Sequence, residues 1–98
     1  MSLTFEEKQA TKEQLLKSME LVSMTIDDVA KKLNTNKEKI VATLNLECNI
    51  ENPWVLKEFL QEEARKQKKT PITFSALKGD YKKYYFLNSE VIAKKIIR

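Results

Sequence analysis

Catalysis needs side chains of the right type at the right spacing, and this chain offers few. It has no histidine, which removes histidine-based triads and histidine metal sites. Its one cysteine, Cys48, can form neither an internal disulfide nor a thiolate metal cluster. No histidine exists to activate that thiol, so an inert cysteine is expected. Gly79 is the only glycine, too few for a loop that cradles phosphates. The acidic pairs Glu6-Glu7, Asp27-Asp28 and Glu62-Glu63 are made of immediate neighbours. Neighbours on a helix point roughly 100° apart, so no such pair shares a substrate atom. The chain therefore does not read as an enzyme, and no catalytic, cofactor-binding, metal-binding or small-molecule set is expected.

What remains is charge, and it is uneven. Lys and Arg number 18 against 14 Asp and Glu, a net charge of +4 over 98 residues. Residues 1–49 carry a net −1 and residues 50–98 a net +5; the stretch 65–95 alone carries +7. A C-terminal basic segment, 65–98, thus follows a nearly neutral first half. It includes Arg65-Lys66-Gln67-Lys68-Lys69, Lys78, Lys82, Lys83, Lys94 and Lys95, interleaved late on with Tyr81, Tyr84 and Tyr85. Neutralising phosphates is the main source of sequence-independent nucleic-acid affinity. The same runs also read as solvated helix ends and loops.

The elements that would position these groups are helical. One glycine and two prolines are too few turn residues for an all-β fold, and one domain over 1–98 suits the length. No apolar run approaches the roughly 18–20 residues that cross a bilayer. The start, Met1-Ser2-Leu3-Thr4, continues polar and acidic, so it does not read as a signal peptide and a cytoplasmic location is expected.

Thr4 with Glu7 has capping-box spacing, predicting a helix over 5–21 with the stripe Leu15, Leu16, Met19 and Val22. Its first half is polar apart from Phe5 and Ala10 and should reach beyond the core or meet another chain. Thr25 with Asp28 starts a short helix bearing Ile26, Val29, Ala30 and Leu33. Asn34 suits a left-handed helix end, and either Thr35 or Asn36 caps a third helix over 37–46 with Ile40, Val41 and Leu44. Asn52-Pro53 reads as cap and first residue of a fourth helix, 53–67, with Trp54 at its head. Its inner side is Val55, Leu56, Phe59, Leu60 and Glu63. Residues 72–87 admit two readings. They form either helical turns or a short β-hairpin wing from 72–74 and 84–87, with Lys78 to Lys83 at its tip. Asn88 or Ser89 then caps a last helix with Val91, Ile92, Ile96 and Ile97.

The stretch 25–44 resembles the helix-turn-helix of bacterial transcription regulators. That pattern has an apolar residue followed by Ala, a Leu three residues on, a tight turn, a polar cap and two apolar residues four apart. Val29-Ala30, Leu33, Asn36 and Ile40/Leu44 fill those places. Ala30 would mark the tight crossing of the two helices. The usual turn glycine is Asn34 here, and the usual apolar turn residue is Thr35. The resemblance implies that the second helix enters the major groove. Asn36, Lys37, Glu38, Lys39, Ala42 and Thr43 would then face outward or lie near the entry end, with Lys31 and Lys32 on phosphates; Lys78, Lys82 and Lys83, at the tip of a wing, would touch phosphates too. Glu38 can accept a hydrogen bond from cytosine.

The whole chain also resembles a small uncharacterised bacterial family of about this length, a domain of unknown function. The shared features are the Met-Ser-Leu-Thr opening, the central motif, Asn52-Pro53-Trp54, and the segment from Thr70-Pro71 through Phe74-Ser75 to Leu77. This resemblance implies a helical fold and brings no ligand. The expectation is an all-α helix-turn-helix domain of four to five helices that binds DNA as a homodimer and regulates transcription. The alternative is a non-catalytic protein-interaction module that keeps the fold without reading DNA.

Overall fold

Thr4 and Glu7 close the first capping box. The Glu7 amide donates to Thr4 Oγ1 at 3.1 Å, and the Thr4 amide donates to Glu7 Oε1 at 2.9 Å. From there α1 runs Phe5–Leu21. A computed structural model of the chain describes residues 4–47, 51–75, 77 and 87–97. Among the described residues four more helices follow: α2 (Ile26–Lys32), α3 (Lys37–Leu44), α4 (Glu51–Lys66) and α5 (Ser89–Ala93). There is no strand among the described residues. Residues 72–74 are irregular chain rather than one arm of a hairpin, and 78–86, which would hold the other arm and its tip, lie outside the described residues. No helix among the described residues is long and apolar enough to cross a membrane.

The core gathers on α4. Val55, Leu56 and Leu60 are fully buried there, joined by Trp54, Phe59 and Ala64. α1 packs on α4 through Leu15, Met19 and Val22; α5 packs on it through Val91 and Ile92; α3 contributes Ile40 and Leu44. Burying each such side chain is worth about 1.5–3 kcal/mol relative to exposure, which holds together helices too short to persist alone.

Several expectations need correction. Leu16 is exposed, and the inner face of α1 is completed instead by Thr11 and Ser18. Their hydroxyls donate to the carbonyls of Glu7 (2.7 Å) and Gln14 (2.8 Å), so they enter the core with their polarity satisfied. Val41, expected with the apolar set of α3, is 36% exposed. α3 ends at Leu44 rather than at 46. α4 begins at Glu51, and Asn52 is a buried residue of its first turn instead of its cap. Proline fits any part of a first turn, where its missing N–H has no helical partner to lose, so Pro53 need not be the first residue. Glu63 is only half-buried.

The chain between α4 and α5 is tied down by glutamines. Gln61 Nε2 donates to the Ile72 carbonyl at 3.2 Å, and Gln14 exchanges two hydrogen bonds with Ser75 across 61 residues. Phe74 and Leu77 are buried beneath this run. At the other end of α4, Gln67 Nε2 donates to the Val22 carbonyl (3.0 Å) and Lys69 Nζ to the Leu21 carbonyl (2.7 Å). α1 has no basic residue in its last turn, so Lys69 supplies from outside the cation that suits a helix C-terminus.

Candidate nucleic-acid interface

Two short helices and the turn between them carry most of the residues singled out by the sequence. Thr25 opens α2 with a second capping box. Its amide donates to Asp28 Oδ2 at 3.0 Å, and its hydroxyl accepts from the Asp28 amide at 3.2 Å. The bond from the Thr25 amide, then that of the Thr25 side chain, holds the exposed Asp28 carboxyl below its ordinary pKa, with Lys31 adding to the effect. Val29, Ala30 and Leu33 face inward, and α2 packs against α3.

Asn34 takes the left-handed conformation at φ 55°. Its amide donates to the Lys31 carbonyl, and the next amide, of Thr35, reaches back to Ala30 at 2.9 Å. This paired closure stops α2 and redirects the chain within four residues. Of the two candidate caps for α3, Asn36 serves: its Oδ1 accepts from the Lys39 amide at 2.9 Å.

The eight residues of α3 divide cleanly. Ile40, Thr43 and Leu44 face the core; Lys37, Glu38 and Lys39 are exposed, as is Asn36 before them, and Ala42 is half-buried. Thr43, expected to face outward, is fully buried, and its hydroxyl donates to the Lys39 carbonyl at 2.8 Å. It therefore cannot touch a base edge. Exposed Val41 and Asn45 occupy the outer side instead. Sequence reasoning missed them as site residues because one reads as core and the other as part of the last turn of the helix. At roughly 100° per residue, Glu38 and Asn45 fall on the outward line of the helix.

Lys31 and Lys32, in the last turn of α2, are exposed. Ion pairs among the described residues join Lys57 to Glu58, Lys66 to Glu63, Lys94 to Glu90 and Lys95 to Glu62. Lys31, Lys32, Lys37 and Lys39 are in none of them. Among the described residues, then, the cations of the neutral motif stand outside ion pairs while several of the basic segment are engaged. Lys78, Lys82 and Lys83 lie outside the described residues.

The basic segment meets the helix pair in two places. Lys31 and Lys32 share one depression with Asp28, with Glu63 of α4 and with Gln67 just beyond its end. Lys32 and Asn34 share another with Glu62 and the tail residues Lys94 and Lys95. A different charge was not anticipated at all: Lys57 is buried, 4.7 Å from the centroid of the Trp54 ring and 3.4 Å from Glu58 Oε2. The ring face and the carboxylate together compensate that cation for lost water.

No curated protein and no solved structure matches the chain. A family model does match, over residues 1–88, under the description "Uncharacterized protein conserved in bacteria (DUF2316)". With nearly all of its length covered, the chain belongs to this bacterial family.

Proposed function

We propose that this protein is a helix-turn-helix DNA-binding protein, acting as a homodimeric transcription regulator, with α3 as the helix presented to the major groove. One observation carries the reading. The leading turn of α3, Asn36 to Lys39, is fully outside, while Ile40 and Leu44 anchor the helix from behind. Lys37 and Lys39 are exposed cations with no ion pair among the described residues, available to exchange counterions for phosphates. Lys31 and Lys32 flank them from α2. The dimer belongs to the proposal because one eight-residue probe reaches a single half-site. The helix-turn-helix reading gives α3 the outer face Glu38, Val41, Ala42 and Asn45 for base contact.

Selection from random duplexes at low salt tests this directly. Enrichment of a common sequence is expected. Binding should weaken steeply with salt, and Lys37→Glu should reduce the salt slope by about one for each phosphate it no longer neutralises. Retention of no duplex at low salt would end the proposal. The protein-interaction reading then takes its place, favoured by Phe5, which is 75% exposed at the start of α1.

A further inference from the structure

The chain after α5 returns to the turn that precedes α3. Lys94 to Ile97 and Lys32 to Asn34 border the same open depression, of about 440 Å³, with Glu62 of α4 beside them. The tail is fixed there. Ile97 is buried, the Lys95 amide donates to Ile92, and the Ile96 amide donates to Val91, both at 3.1 Å. Lys94 and Lys95 are thus held on a folded surface beside Lys32, from which they are far removed in sequence.

The three cations are differently engaged. Lys32 is exposed and forms no ion pair among the described residues. Lys94 Nζ lies 3.1 Å from Glu90 Oε1, a pair four residues apart whose side chains are both well exposed. Such pairs are weak and screened, so a phosphate can displace the carboxylate. Lys95 Nζ lies 2.8 Å from Glu62 Oε2, whose side chain is half exposed. Three cations against two carboxylates, Glu90 and Glu62, leave a net charge of +1 beside Asn34, which stands two residues before the cap of α3.

We propose that Lys32, Lys94 and Lys95 form one phosphate-contacting face that grips the sugar–phosphate backbone of a duplex next to the leading turn of α3. This rests on the nucleic-acid reading above. The face is open, and its cations come from two separate segments along the surface. That arrangement suits a polyanionic strand passing over it better than a free phosphate, which needs donors converging on one point. The tail would then set the register of the protein on the duplex, and α3 would read the bases.

The test is fluorescence anisotropy of labelled mixed-sequence duplexes against full-length protein, with affinity measured across a salt series. The double variant Lys32→Ala/Lys94→Ala should lower the slope of log affinity against log salt by about two, one per lysine, equally on unrelated sequences. Lys8→Ala removes the same kind of charge from the exposed start of α1 and should leave the slope unchanged. Glu90→Gln frees Lys94 and should tighten binding at low salt, an effect that loss of structure would not produce. Circular dichroism establishes that each variant is folded. If wild type binds duplexes and the double variant keeps its slope, this face is not used, while the proposed function stands. If wild type binds no duplex, both fall. If inorganic phosphate alone competes fully at concentrations near those of the duplex phosphates, the face is a free-phosphate site and the strand-gripping role is overturned.

Discussion

Thr35 Oγ1 is buried in the turn between α2 and α3 without a hydrogen-bond partner. Folding strips water from that hydroxyl and returns nothing, a penalty of about 1–3 kcal/mol for a buried unsatisfied group. Valine has nearly the same shape and lacks the hydroxyl. Thr35→Val should therefore raise stability by about 1 kcal/mol, or about 4–8 °C in Tm for a domain of this size. Differential scanning calorimetry would show it; a lower Tm would mean that the hydroxyl has a partner in solution. The other core hydroxyls behave oppositely. Thr11, Ser18 and Thr43 each donate to the carbonyl four residues back, so the helix itself satisfies them. A hydropathy pattern scores them as polar and outward, which is why it sends Thr43 to the outer face of α3 and exposed Leu16 to the core. Lys57 hides for a related reason. Its burial depends on the Trp54 ring and Glu58, which spacing alone does not reveal.

Apart from that of α4, where Asn52 lies inside the helix instead of capping it, the starts of the described helices were legible because their chemistry is local. Thr4 with Glu7, Thr25 with Asp28, Asn36 and Asn88 all cap as their side chains predict. Helix ends were far less legible. Each of the five helices among the described residues closes with a residue in the left-handed region, at Ser23, Asn34, Leu46, Lys68 and Lys95, and in each the next amide reaches back five residues. Asparagine gives this conformation away, but serine, leucine and lysine do not. The chain's single glycine, Gly79, is at none of these positions. A non-glycine residue is disfavoured there by roughly 1–2 kcal/mol. Part of that is recoverable. Lys68 follows α4, has φ 59° and is exposed. Lys68→Gly removes the Cβ conflict but gives the unfolded chain more freedom, leaving a net gain of about 1 kcal/mol. Urea denaturation should show a higher midpoint at unchanged slope. A lower midpoint would show that the lysine charge at the end of α4 outweighs the strain.

At the scale of the whole molecule, the helical, strand-free character of the described residues agrees with the scarcity of turn residues. The run 72–74 stayed ambiguous in sequence because such alternation also arises in irregular chain held by side chains, here Gln61 and Gln14. The placement of α5 depends on contacts that sequence spacing cannot show. Five residues cannot sustain a helix alone. α5 exists because Val91 and Ile92 dock on α4, and because the Asn88 amide donates to Glu51 Oε2 at 3.2 Å. Ile92 is fully buried in the same core as Leu15, Ile40 and Leu60. Truncating such a residue costs about 2–5 kcal/mol, a large part of the roughly 5–15 kcal/mol typical of a domain. Ile92→Ala should therefore destabilise the entire molecule rather than fray its last helix. Trp54 fluorescence and far-ultraviolet circular dichroism should report one shared urea transition, moved to lower concentration. If the dichroism signal fell early and Trp54 kept its original midpoint, α5 would be an independent appendage. One cooperative core would mean that the tail lysines beside Asn34 hold their positions for as long as α3, backed by α4, holds its own.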